Sequence, residues 1–453
     1  MTSPFHDQPV TRAAATLVLV ALVAAPSTVS AQAEREQRPV RGLFGGGEQR
    51  DPELNRHESM LRVSLFGGYE DNLSADVDPS DLLLEPSGYL GSTEVGVGYL
   101  RQGLRRSFEF NVRGFVNTLP SPEIRPSEYF VGGEVRGQFQ TGLGRRAALT
   151  VAHSHRYDPR YEMRSVQSSP SDGPLPVESS NPSNVLVQQP SWASTTTGAL
   201  THQWSRITKL EGSLELERRT FTAGAPFESR IIVGVASLDR SLSRNWGLRA
   251  AYRHSDGDFV ELGGIPLTGD GQTLELGLRH AVQLSSTRRL DWTAGAGMSR
   301  ISTSRSSAQQ AVQYWEPSAY GTARLAFARS WSVTTDYLRT VAVLPGITAE
   351  TFVTDEVALR TAGFVQPRLE TALTVGYLMG RAGPGVEGEY ETYRGEAQMR
   401  VHLTRWWSLG VTYNYFEYLS SGIAGGPLGA SRHVQRNTTR VHMDWSLPLY
   451  GTF

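Results

Sequence analysis

Two histidines two residues apart, His153 and His155, are the first side chains in this sequence whose types and spacing could do chemistry. In an extended segment that spacing puts both imidazoles on one face, where they could chelate a metal. No carboxylate or third histidine stands close by in sequence to complete a ligand set. The glycines of "GLFGGGEQ" (Gly42–Gln49) lack the preceding strand and following helix of a phosphate loop. There is no G-x-S-x-G elbow, and no Ser/His/Asp set stands out. With no cysteine in the chain, thiolate metal sites and a disulfide framework are excluded. No catalytic residue, metal site or cofactor is predicted, and the chain is not read as an enzyme.

What the sequence offers instead is arginine and carboxylate in alternation. The formal net charge is −1, and almost every cation is arginine; Lys209 is the exception. Such a balance gives no basic surface for nucleic acid. When neighbouring extended segments are paired across their turns, opposite charges come to face one another. Glu94 falls opposite Arg113, with Arg113 near Glu134; Glu109 falls opposite Arg136, and Arg253 opposite Glu275. Arg279 meets Asp291, which lies near Arg324; Asp336 lies near Arg360, Arg360 opposite Glu370, and Glu370 opposite Arg400. The expectation is an arginine–carboxylate belt on one face of a sheet. Each exposed pair would contribute only ~0.2–1 kcal/mol, and arginine's planar fork suits lateral bridging better than lysine.

The elements that must carry these charges alternate apolar and polar from about Met60 onward. Segment 107–117 has Phe108, Phe110, Val112 and Val116 on one side and Glu109, Asn111, Arg113 and Asn117 on the other. Segments 273–282 and 393–403 repeat the pattern. Short turns near 101–105, 141–145, 205–208, 243–245, 285–288, 329–330, 364–367 and 404–405 alternate strictly with longer connections. The longest connection runs from Asp158 to about Pro190 and is rich in Ser and Pro. Trp204, Trp246, Trp331, Trp406 and Trp407 flank short turns, as an interfacial aromatic belt would. The predicted fold is all-β: a transmembrane antiparallel up-and-down barrel of about 18 strands, with both termini on the short-turn, periplasmic side.

The flanking segments agree with a bacterial outer-membrane location. Residues 1–33 read as a signal peptide, with Arg12 before the apolar run Ala13–Pro26 and small residues up to Ala31 and Ala33. Residues 34–59 are polar and glycine-rich and read as a flexible periplasmic tail, leaving 60–453 for the barrel. The last segment places Trp445, Leu447, Leu449 and Phe453 on alternate positions. It resembles the assembly signal that the barrel-insertion machinery reads, so that machinery and outer-membrane lipid are the expected partners.

The opening of the barrel, "SLFGGYEDNLSAD" (Ser64–Asp76), resembles that of an outer-membrane barrel family called beta-barrel porin 2, through Tyr69, Asp71 and Asn72. The resemblance implies an exit for exopolysaccharide or capsule, with periplasmic polysaccharide-export components as partners. Strand number alone implies an aqueous lumen, because barrels of 16–18 strands are too wide for side chains to fill. The expectation is a channel for hydrophilic solutes, with the Asp158–Pro190 loop able to fold in and narrow it. The alternative is a non-conducting structural or surface-interaction barrel, occupied by its loops or tail.

Overall fold

In a computed structural model, the structure describes residues 56–71, 88–118, 129–158, 161–162, 186–187, 190–221, 228–260, 266–305, 312–328, 330–343, 351–382, 388–421 and 432–451. The predicted signal peptide, most of the predicted tail, Asn72, the greater part of the Asp158–Pro190 connection and Phe453 lie outside them.

The strands are β1 (Arg56–Glu70), β2 (Gly88–Gln102), β3 (Arg106–Thr118), β4 (Tyr129–Gly142), β5 (Ala147–Asp158), β6 (Tyr161–Glu162), β7 (Leu186–Val187), β8 (Ser191–Gln203), β9 (Thr208–Phe221) and β10 (Glu228–Ser241). They continue with β11 (Trp246–Val260), β12 (Pro266–Ser285), β13 (Arg288–Arg305), β14 (Val312–Phe327), β15 (Trp331–Val343), β16 (Thr351–Gln366), β17 (Leu369–Ala382), β18 (Glu389–His402), β19 (Trp407–Ser421) and β20 (Arg432–Gly451). β6 and β7 form a two-residue ribbon of their own, between β5 and β8. The other strands form one 18-stranded sheet in which each pairs antiparallel with its neighbours in sequence. β1 also pairs with β20, from Glu58↔Gly451 to Glu70↔Thr438, so the sheet closes into a barrel without an edge.

β1 begins at Arg56, ahead of the Met60 boundary, because Arg56 to Ser59 already find ladder partners in Gln102 to Tyr99. The start of β1 and the end of β20 lie at the short-turn end of the barrel, beside the turn that joins β2 to β3. The barrel strands run from 12 to 20 residues, longer than the roughly 9–11 that a bilayer-crossing strand needs.

Alternation sorts the side chains cleanly. Leu274, Leu276 and Leu278 of β12 point out and are 60%, 60% and 43% exposed. Between them Glu275 and Gly277 face the same side as Ala251 and Arg249 of β11. The described ladder has three register shifts, one of them between Gln283 and Ser285 beside the β12–β13 turn. Pro448, which has no N–H to donate, pairs with Met60 at the register shift between Ser59 and Met60. Another shift between Phe364 and Gln366 precedes the tight turn at Pro367–Arg368.

Candidate functional site: the inner wall

The inner wall carries the charges, and their register decides which of them meet. Arg113 of β3 stands directly opposite Glu134 of β4 and pairs with it, whereas Glu94 of β2, expected opposite Arg113, faces Phe115 instead and lies 3.8 Å from the other amine of Arg113. Asp291 of β13 faces Arg324 of β14, and Glu370 of β17 faces Arg400 of β18, both as the sequence predicts.

Elsewhere the expected pairs are displaced. Glu109 faces Gln138 and accepts a hydrogen bond from Asn111 Nδ2 at 3.0 Å, while Arg136 faces Asn111. Arg253 faces Thr273, so Glu275 sits diagonally from it. Arg279 faces Thr293 rather than Asp291, and Asp291 accepts instead from Arg289 Nε at 2.9 Å. Asp336 faces Ala358 and takes the Thr322 hydroxyl at 3.0 Å; Arg360 faces Thr334. These are slips of two residues, which keep a side chain on its face and move it one step along the strand. Arg360 and Glu370 do not face each other: Arg360 meets Thr374, and Glu370 meets Phe364. The turn lies at Pro367–Arg368 and β16 bulges before it, which moves the two apart. Glu370 instead has His402 Nε2 at 3.5 Å.

The tightest inner cluster was not legible in the sequence. Asp444 of β20 accepts Ser64 Oγ of β1 at 2.7 Å and Ser408 Oγ of β19 at 3.4 Å. Arg62 lies 3.4 Å from it, and Arg400 and His442 each 3.9 Å. Room for these large groups comes from glycine. A Cβ on Gly410 would stand 2.2 Å from His442 Nε2, so His442 packs flat over β19 only because that position has no side chain. Arg394 likewise crosses β17 above Gly376 to pair with Glu356 on β16.

Aromatic residues share the inner wall. Tyr390 and Tyr418 stack with centroids 6.1 Å apart. Both are nearly buried at 5%, as are Arg436 at 4% and Thr354 at 0%.

The outer wall is a different solvent face. At the short-turn end Trp246 packs on His280 (4.2 Å) and edge-on to Trp292 (5.7 Å), and Trp407 lies 5.7 Å from Trp445. Arg405 sits over the ring of Trp406 at 4.7 Å. Towards the long-loop end a second belt appears, which the sequence reading missed. Tyr69 meets Tyr89 at 5.6 Å, Tyr157 meets Trp192 at 4.6 Å, and Tyr377 meets Tyr393 at 4.9 Å. Their polar tips are held: Tyr337 donates to Asp355 (2.8 Å), Tyr393 to Glu391 (3.0 Å) and Tyr415 to Glu417 (2.6 Å). Between the belts the outward residues are mostly apolar, as in Leu409 and Val411 of β19, with His153 and His155 of β5 as polar exceptions. At a rise of ~3.3 Å per residue and a tilt near 40°, the belts stand roughly 15–20 Å apart. One signal could have found the upper belt: tyrosine at an outward position near the loop end of several strands.

His153 and His155 belong to this outer wall. His153 hydrogen-bonds Thr196 Oγ1 at 2.9 Å, and His155 stacks on Trp192 at 5.0 Å. Among the described residues no group of three or more metal-binding side chains occurs. Trp445, Leu447 and Leu449 also face outward, with Leu449 55% exposed.

Of the residues that carry the porin resemblance, Tyr69 is part of the upper belt. Asp71 accepts from the backbone N–H of Asn437 and from its Nδ2 (2.7 Å), which ties the end of β1 to β20.

No protein-family model matches the sequence, and neither does any curated protein. Among solved structures the chain is similar to Acinetobacter baumannii OccAB2, at 10% identity over 87% of this chain and 98% of that one, with a TM-score of 0.46. It is also similar to Pseudomonas aeruginosa OpdL, at 12% identity over 87% and 99%, TM-score 0.44. A third is the E. coli ferric-catecholate import receptor Fiu, at 10% identity over 86% and 81%, TM-score 0.43. Likeness at this level reaches neither site nor function.

Proposed function

We propose that this closed barrel spans a bacterial outer membrane and forms a channel for hydrophilic solutes. The observation that carries the reading is the contrast between its two walls. Outward residues form a largely apolar band bounded by two aromatic belts, whereas the inward face carries the charged and hydroxyl groups, with glycine and alanine between them. A sheet can pass through hydrocarbon with every backbone group satisfied only if it is closed, and a barrel of this strand number is wide enough for water. The short-turn end, with the start of β1 and the end of β20, would face the periplasm. Export would use residues 1–33, and Trp445, Leu447 and Leu449 would present the outward face that the assembly machinery reads.

In this reading the inner charges shape a wall of mixed sign, which admits uncharged or weakly charged solutes without strong ion selection. Carbohydrate, uncharged and rich in hydroxyls, is the solute class such a wall of mixed sign would suit. A role in polysaccharide export, with periplasmic export components as partners, is the narrower form of the proposal. The resemblance at Tyr69 and Asp71 adds little to it, since both residues have places in the wall that any solute would leave unchanged.

A second reading has its own observation. Inward Arg436, Thr354, Tyr390 and Tyr418 are almost wholly buried, so one side of the lumen is not open water. That favours a narrow or occluded barrel with a structural or surface-interaction role. Planar-bilayer recording on protein of verified fold separates the two. Reproducible conductance steps support the channel; a silent membrane supports the occluded barrel.

A further inference from the structure

The short-turn end of the barrel is an arginine collar. Arg105, Arg145, Arg206, Arg244, Arg368 and Arg405 stand in short turns, and no carboxylate does among the described residues. Over β8 to β11 the collar climbs onto the outer wall. Arg240 is exposed and faces outward, in one row with Thr208 of β9 and Leu248 of β11. The side chains around it are apolar or aromatic: Leu238 above, Leu242 and Trp246 below. Asp239, next in sequence, points to the other wall, where it faces Lys209 and Arg249. A cation at this level is costly unless its long stem carries the charge to the headgroups or to an anion. Arg244, in the turn below, adds to the positive charge rather than offsetting it, whereas Arg206 lines a pocket with the inward Lys209, Asp239 and Arg279.

Above Arg240 the outer wall is hollowed. Gly212, Ala236 and Ala250 occupy neighbouring outward positions on β9, β10 and β11, walled by Leu200, Leu238 and Leu274. The depression has a volume of about 740 Å³. Gly212 adds to it directly: a Cβ there would meet nothing closer than Val235 O at 4.0 Å.

We propose that this patch is a binding site for an anionic phospholipid of the short-turn-side leaflet. The phosphate lies between Arg240 and Arg244, and one acyl chain fills the hollow above them. The headgroup supplies the negative charge that this part of the wall lacks, and the chain covers a dent that a flat lipid layer would leave poorly packed. The inference rests on the membrane reading above.

The test uses the full barrel folded in an uncharged detergent, with phosphatidylglycerol and phosphatidylcholine of identical chains added in equal amounts. Lipid retained per barrel is counted by native mass spectrometry. The wild-type barrel is expected to keep phosphatidylglycerol in preference to phosphatidylcholine. Each arginine removed should lower that preference on the order of fivefold, so R240Q/R244Q should erase it. Gly212→Leu, with every charge intact, should lose retention of both lipids. R105Q/R145Q/R146Q, on the collar but away from the hollow, should behave as wild type.

Equal retention of the two lipids by the wild type overturns the site. So does a preference that survives R240Q/R244Q, or one that R105Q/R145Q/R146Q removes equally well. Failure of the membrane reading looks different: the chain then folds in buffer without detergent.

Discussion

Asp444 Oδ1 accepts the Ser64 hydroxyl at 2.7 Å, and this bond joins the last strand of the barrel to the first. It is a contact between residues 380 positions apart, made only when the sheet closes. Arg62, Arg400 and Ser408 converge on the same carboxylate from three strands. Asp444→Ala removes the acceptor and leaves two guanidinium groups facing each other, at an expected cost of about 3 kcal/mol. Ser64→Ala removes one donor and should cost about 1 kcal/mol. Urea unfolding of the micelle-bound barrel, followed by tryptophan fluorescence, measures both; equal and negligible losses would show that the seam is held by the ladder alone.

At the other end of the same seam, Asp71 holds Asn437 through backbone and side chain. Hydrogen bonds to a charged group contribute about 1.5–3 kcal/mol. Asp71→Ala should therefore lower stability and speed hydrogen exchange at Asn437, while single-channel conductance stays as in wild type. A large change in conductance would mean that Asp71 acts on the passage rather than on closure.

The two walls should answer differently to the same substitution. Leu276→Arg puts a cation in the middle of the outward apolar band, where the cost is about 2–4 kcal/mol. Ala281→Arg, on the inward face of the same strand and opposite Asp291, should cost far less. If the two variants unfold at the same urea concentration, the outward face is not in hydrocarbon.

Arg113 is set between Glu94 and Glu134. Replacing both carboxylates by glutamine leaves a net positive spot on the inner wall. The reversal potential in a salt gradient should then move towards anion preference, and Arg113→Gln should move it the opposite way. A reversal potential indifferent to both would place this triad away from the ion path.

Gly410 lies beneath the His442 ring. Gly410→Val has no room for its branched side chain unless the imidazole leaves Asp444, so a loss of about 1–3 kcal/mol is expected. Adding His442→Ala should recover part of it, which a double-mutant cycle in urea detects.

Much of this architecture could be read from local pattern. Period-two alternation marks strands wherever the two faces meet different surroundings, so Phe108 to Asn117 announced a wall with two solvents. Turn residues announced where the chain reverses, and the alternation of short with long connections implied an even-stranded barrel. Which wall a given charge occupies followed from the same parity: Arg113, Glu134, Glu275 and Arg400 all lie on the inner face. Register resisted, because a slip of two residues costs nothing in facing and little in local propensity. Arg253 with Glu275 and Arg279 with Asp291 moved to the diagonal that way. A bulge such as that between Phe364 and Gln366 leaves no mark strong enough to count residues by, and it took Arg360 away from Glu370.

The amino-acid order alone settled strand, turn and face, since each of these depends on residues a few positions apart. Closure belonged to the tertiary structure: Asp444 with Ser64, Asp71 with Asn437, and Arg394 reaching Glu356 over Gly376. Those partners meet only after the chain has come round on itself or a glycine has opened the way across a strand. No periodicity within a segment records which distant segment it will lie against.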